Sequence, residues 1–142
     1  MSRENVEVVI GQFEGVNARD FKAVMDAYAD DVVLALHGEL RGLGGEGAVG
    51  KQAVGEWFGE WFRTFDSGYR FEIEESRDWG DRVFVVATHH GQGRASGVPV
   101  TQRTAYVYTA REGKVSRVEV WRDREEALEA DRPSEDQSRG ES

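Results

Sequence analysis

Apolar residues recur at helical spacing in the N-terminal part of the chain and at every second position from about residue 69 onward. Val6, Val9, Ile10, Phe13 and Val16 predict a first helix over 3–16, with Ser2 as its N-cap, Glu4 and Glu7 near its positive end and Asn17 as its stop. Asp20 caps a second helix with apolar positions Phe21, Val24, Met25 and Tyr28, ending near Ala29. A short strand follows over 32–38. Six glycines lie between 38 and 50, a stretch without the spacing or the lysine ending of a phosphate-binding loop, and it reads as a connection into a third helix. That helix, over 51–64, presents Val54, Trp57, Phe58, Trp61, Phe62 and Phe65 as a broad aromatic face.

Period two then predicts four strands, over 69–76, 82–94, 98–110 and 114–123. Gly80-Asp81, Ser96-Gly97 and Glu112-Gly113 supply turn chemistry between them, so these strands form an antiparallel meander. Residues 124–130 add a closing helical turn. Residues 131–142 have no large apolar side chain and read as a disordered acidic tail. Helices followed by strands give an α+β domain over 3–130, with a strongly curved sheet wrapping three N-terminal helices and a pocket between the two layers.

Composition removes several classes of chemistry. The chain has no cysteine, so disulfides and thiolate catalysis are excluded. A formal net charge of −9, with the basic residues scattered, argues against nucleic-acid binding. No apolar run reaches the ~20 residues that cross a bilayer, and the N-terminus has charges where a signal peptide would be apolar, so the expectation is a cytoplasmic protein without a membrane partner. No motif specifies a cofactor. His89 and His90 are adjacent, hence on opposite faces of a strand, and nothing follows the HExxH pattern, so no metal site is expected.

The order of elements, with RDFKAVMDAYADDVVL (19–34), GRASGVPV (93–100) and REGKVSRVEVWRDREEALEA (111–130), resembles the SnoaL-like branch of the nuclear-transport-factor-2-like superfamily. The resemblance implies a cone-shaped fold, a homodimer packed through its sheet, and a pocket used by cyclases, isomerases, epoxide hydrolases and non-catalytic proteins alike. The ketosteroid isomerase apparatus is missing: its carboxylate base falls on Leu36, its oxyanion-hole aspartate on Ala105 and its helical tyrosine on Phe58. The acidic residue of the polyketide cyclases falls near Val120, with Glu119 adjacent. Arg103 is the one match to the epoxide hydrolase cluster, without an acidic pair beside it.

Two-residue turns at Ser96-Gly97 and Glu112-Gly113 would place Phe84, Val86, Thr88, His90, Arg103, Ala105, Val107, Val118, Val120 and Arg122 on one face. Its apolar stripe assigns that face to the concave side, and a bulge in either hairpin would swap the faces. The other face, with Tyr106, Tyr108, Glu119 and Trp121, becomes the expected dimer surface. Candidate ligand contacts are then Tyr28, His37, Trp57, Phe58, Trp61, Phe84, Thr88, Arg103 and Val120, with His90 as the candidate acid–base group. The primary expectation is a pocket protein for a small apolar molecule. The alternatives are an enzyme running acid–base chemistry on a carbonyl or carboxylate ligand, and a dimerisation module whose interior is filled with side chains.

Overall fold

The computed structural model describes residues 2–37, 47–66 and 68–131. The glycine-rich stretch over 38–46 and the C-terminal segment over 132–142, expected as loop and tail, lie outside the described residues. Two helices, α1 (Ser2–Asn17) and α2 (Phe21–Asp26), open the chain. Strands β1 (Tyr28–Leu36) and β2 (Gly47–Val49) precede α3 (Lys51–Arg63). Strands β3 (Arg70–Asp78), β4 (Arg82–Gln92), β5 (Pro99–Arg111) and β6 (Lys114–Trp121) lead to α4 (Arg124–Asp131). They form one curved sheet in the order β2-β1-β6-β5-β4-β3, antiparallel except where β1 lies parallel to β6.

The capping logic holds for α2, where Asp20 accepts from the Ala23 amide at 3.2 Å. The helix is shorter than its apolar spacing predicts. Tyr28 leaves it to pair with Val115, and the Val115 amide donates to the Ala27 carbonyl at 2.8 Å. Pairing with β6 thus ends the helix three residues early. β2, which the glycine-rich reading missed, joins the edge of β1 through pairs such as Val33 with Val49. Glu112 (φ 53°) and Gly113 (φ 78°) both adopt left-handed backbone, as a two-residue turn between twisted strands requires.

The two hairpins depart from the expected register in different ways. In the first, Gln92 pairs with Pro99 and the chain turns over 93–98, so Thr88 faces Arg103 and His90 faces Thr101. That shift is by two residues, and it keeps the face of every side chain. In the second, the turn is as expected at Arg111 and Lys114, but an irregularity follows. Ala110 pairs with Val115 while Thr109 pairs with Arg117, leaving Ser116 as an extra residue whose Oγ contacts the Thr109 carbonyl at 3.3 Å. This one-residue slip puts Val118 and Val120 on the same face as Tyr106 and Tyr108, and Glu119 and Trp121 on the face of Ala105 and Val107.

The concave assignment is therefore corrected for β4 and β5. Val9, Phe13 and Val16 of α1, Val24 of α2 and Val54 of α3 pack onto Val83, Val85, Ala87, Tyr106, Tyr108, Val118 and Val120. Phe13 makes edge contacts with Phe71, Tyr106 and Tyr108 at centroid distances of 5.1, 5.3 and 5.7 Å. The stripe of Phe84, Val86, Ala105 and Val107 faces the other way, beneath Ala127 and Leu128 of α4. Arg124 ties that helix to the sheet, with Nε 2.7 Å and Nη2 3.3 Å from the two carboxylate oxygens of Glu75. Strand β4 is buried on both faces, so an apolar stripe alone did not distinguish the side covered by three helices from the side covered by one. Tyr106 and Tyr108 lie inside the chain's own core, which corrects the expectation that they form an intermolecular surface.

Candidate functional site

Aromatic residues reach the interior from every layer. Period two directs Phe71, Tyr106 and Tyr108 inward from the sheet, while helical spacing directs Phe58 and Phe62 from α3 and Phe13 from α1. Two glycines of α3, Gly55 and Gly59, sit one helical turn apart on the same inner face, and Met25 packs over Gly55. A cavity of about 450 Å³ lies between the helices and the concave side of the sheet. Its buried end is walled by Phe13, Val24, Tyr28, Tyr106 and Tyr108. Its open end carries Arg19, Phe21, Arg63, Asp66 and Arg94.

The polar groups of the buried end are few. Gln12, 4% exposed, donates from Nε2 to the Val24 carbonyl at 3.3 Å, while its Oε1 has no hydrogen-bond partner among the described residues. The hydroxyls of Tyr28 and Tyr108 likewise have none among those residues. Burial holds both phenols well above their usual pKa, so they remain neutral donors.

A second, smaller cavity of about 160 Å³ adjoins the first, sharing Phe58, Phe62, Phe71 and Tyr106 as common walls. Leu36, Trp57, Trp61, His89, Gln102, Thr104 and Val120 complete it. Here the interior histidine sits in a defined hydrogen-bond chain. Trp61 Nε1 lies 3.2 Å from Tyr69 Oη, which lies 3.0 Å from His89 Nδ1. An indole nitrogen is a donor only, so the Tyr69 oxygen accepts from it and directs its own proton to His89 Nδ1. The imidazole proton is then on Nε2, which has no partner among the described residues. Desolvation, with a smaller contribution from neighbouring His90, lowers the His89 pKa to about 4. His89 is thus a neutral imidazole at ordinary pH.

Of the residues singled out in the sequence, Tyr28 and Phe58 line the larger cavity and Trp57, Phe58, Trp61 and Val120 the smaller. Phe84, Thr88, His90 and Arg103 are on the opposite side of the sheet, because the Ser116 bulge turns the β4–β5 face assigned to the pocket outward. His90 Nε2 lies 3.1 Å from Glu72 on β3, and Arg103 Nε lies 3.2 Å from Glu74. Thr88 hydrogen-bonds the same Glu74 carboxylate. His37 lies beyond the end of β1, stacked on Trp121 at 4.2 Å, and lines neither cavity. The sequence reading passed over Gln12, Tyr69 and Phe71, and preferred His90 where the structure brings His89 inside. An aromatic alternation, Tyr69 and Phe71 on β3 with Tyr106 and Tyr108 on β5, was the available sign of the inward face. Among the described residues no group of three or more histidine or acidic side chains is arranged to hold a metal, and no helix is long and apolar enough to cross a membrane.

Comparison with solved structures finds this architecture repeatedly. TerC, co-crystallized with polyporic acid, is 24% identical with a TM-score of 0.72, covering 84% of this chain and 92% of that one. RV0760c from Mycobacterium tuberculosis, in complex with estradiol-17beta-hemisuccinate, is 20% identical with a TM-score of 0.69, covering 82% and 92%. A putative polyketide cyclase from Sinorhizobium meliloti is 26% identical with a TM-score of 0.63, covering 84% and 98%. No curated protein sequence matches significantly. The profile of the SnoaL-like domain matches residues 9–118, which include α2, α3, the second half of α1 and most of the sheet. The chain belongs to the SnoaL-like domain family.

Proposed function

We propose that this protein binds a small, largely apolar, ring-bearing molecule between its three N-terminal helices and the concave face of its sheet. The observation that carries this reading is the cavity of about 450 Å³, aromatic on most sides, with the hydroxyls of Tyr28 and Tyr108 lacking partners among the described residues at its buried end. That volume lies within the ~300–1,000 Å³ typical of small-molecule sites. Buried hydroxyls are seldom left unbonded, and a ligand carbonyl or ether oxygen would accept from them. The complexes of TerC and RV0760c with ring-bearing molecules support the same use of the fold. The size of the interior counts against a pure dimerisation module filled with side chains. Native mass spectrometry of gently purified protein tests the proposal: a co-purified mass adduct lost on denaturation is expected. Uniformly bare protein that also takes up no aromatic compound from a small library overturns it.

The Tyr69–His89 pair favours a second, catalytic reading. A neutral imidazole with its Nε2–H available beside Gln102 and Thr104 is suited to donating a hydrogen bond to a carbonyl oxygen of a ligand that extends into the smaller cavity, stabilising charge that develops there. Conversion of a bound ligand that His89→Phe stops without weakening binding would establish it. Unchanged conversion in that variant excludes it.

A further inference from the structure

The charge around the larger cavity is unlike that of the rest of the molecule. Its charged wall residues are Arg19, Arg63, Arg94 and Asp66, three cations against one carboxylate, hence a local excess of two positive charges among the described residues. The whole chain carries a formal −9. All three arginines are exposed and belong to the open end, whereas Phe13, Tyr28, Tyr106 and Tyr108 of the aromatic wall are buried.

Arg63 and Arg94 are not neutralised by an acidic side chain among the described residues. Arg94 Nε donates to the Arg63 carbonyl at 3.1 Å and its backbone amide to the Thr64 carbonyl at 2.9 Å, which satisfies carbonyls at the C-terminus of α3. The remaining guanidinium nitrogens of Arg94 have no partner among the described residues, and neither does the guanidinium of Arg63. A helical side chain leans toward the preceding turn, and here that turn presents Gly59. A Cβ built at Gly59 would stand 3.4 Å from Arg63 Nη1, in ordinary contact, which places the guanidinium over Gly59 at the rim of the cavity. Asp66 is turned to local use, its Oδ1 accepting from the Gly68 amide at 3.0 Å.

We infer that the cavity selects amphipathic anions: molecules whose rings enter the aromatic chamber while a carboxylate or sulfonate stays at the mouth against Arg63 and Arg94. This inference rests on the small-molecule reading above and narrows it to a ligand class. Guanidinium forks suit such oxyanions, and the charge of the ligand need not be desolvated to bind. The competing account is that Arg63 and Arg94 serve only the end of α3, where cations are favourable whatever the cavity contains.

Two fluorescent probes that share a ring system separate these accounts. 8-Anilinonaphthalene-1-sulfonate is anionic, and N-phenyl-1-naphthylamine is the same framework without the sulfonate. Titrated against the full chain in low salt, the anionic probe is expected to bind about fivefold or more tightly than the neutral one, the sum of two exposed charge contacts. In Arg63→Gln/Arg94→Gln this preference should vanish with neutral-probe affinity unchanged, and Arg63→Lys/Arg94→Lys should retain most of it. Added salt should also erode it. Equal affinity for the two probes, or a preference that survives loss of both arginines, overturns the inference while leaving the cavity reading intact. Failure of the neutral probe to bind removes the cavity reading, and the inference falls with it.

Discussion

Tyr69 Oη and His89 Nδ1 are 3.0 Å apart on the concave side of the sheet, while the next residue, His90, reaches Glu72 on the other side at 3.1 Å. One step along a strand separates a histidine in the core from a histidine at the surface. The two should therefore respond to acid differently. His89 is 3% exposed, and its folded-state pKa is lowered to about 4, chiefly by desolvation. The unfolded chain titrates near ~6.5 and so binds the proton more readily. Stability from this site is complete above that pH and is lost as pH falls toward about 4. The loss at the acid end should be roughly 1–3 kcal/mol. Urea melts at several pH values, compared with those of His89→Gln, check this: the variant should show a shallower fall. Parallel pH profiles would contradict the assignment.

Arg103 lies on the outer face, 56% exposed, paired with a partly exposed Glu74. Exposed pairs of this kind contribute little. Arg103→Met should change stability by less than about 1 kcal/mol and leave ligand affinity where it was. Thermal melts and probe titrations of the variant decide the matter. A collapse of several kilocalories, or loss of binding, would place Arg103 in the site after all.

Gly15 in α1 shows a case where local propensity and packing oppose each other. Alanine gains about 1 kcal/mol over glycine in a free helix. At this position a Cβ would stand 2.7 Å from Val24 Cγ2, a β-branched side chain with little freedom to move. Gly15→Ala should therefore destabilise, by roughly 1–3 kcal/mol, through separation of α1 from α2. A raised melting temperature would show that the two helices slide apart at no cost.

The sequence made the layers legible and left the register hidden. Apolar spacing located α1 and α3, and Glu112-Gly113 marked a two-residue turn where both residues have positive φ. Those signals are local. The face of β5 that meets the helices depended on Ser116: Val115, Val118 and Val120 all reach the same core, and the spacing of three between Val115 and Val118, a single break in the alternation, was the local trace of the extra residue. The adjacent apolar stripes of β4 are equally buried, so hydrophobicity could not choose between them. Tyr28 sat at a helical position and became a strand residue because its partner, Val115, lies far along the chain. The charged mouth brings together Arg19, Arg63 and Arg94 from three separate segments, a neighbourhood created by folding.

The central claim is that ligand binds on the concave side, in the chamber that the glycines of α3 help to line. Gly55 is its most direct probe, because a Cβ there would meet Met25 Cε at 2.6 Å and drive that side chain into the cavity. The measurement is a titration of N-phenyl-1-naphthylamine against the parent protein, Gly55→Phe and Arg103→Met, each first shown by its melt to be folded. The expected result is one probe bound per parent chain, unchanged binding in Arg103→Met, and binding lost in Gly55→Phe. Undiminished binding in folded Gly55→Phe, or loss of binding in Arg103→Met, would place the site elsewhere and contradict the account.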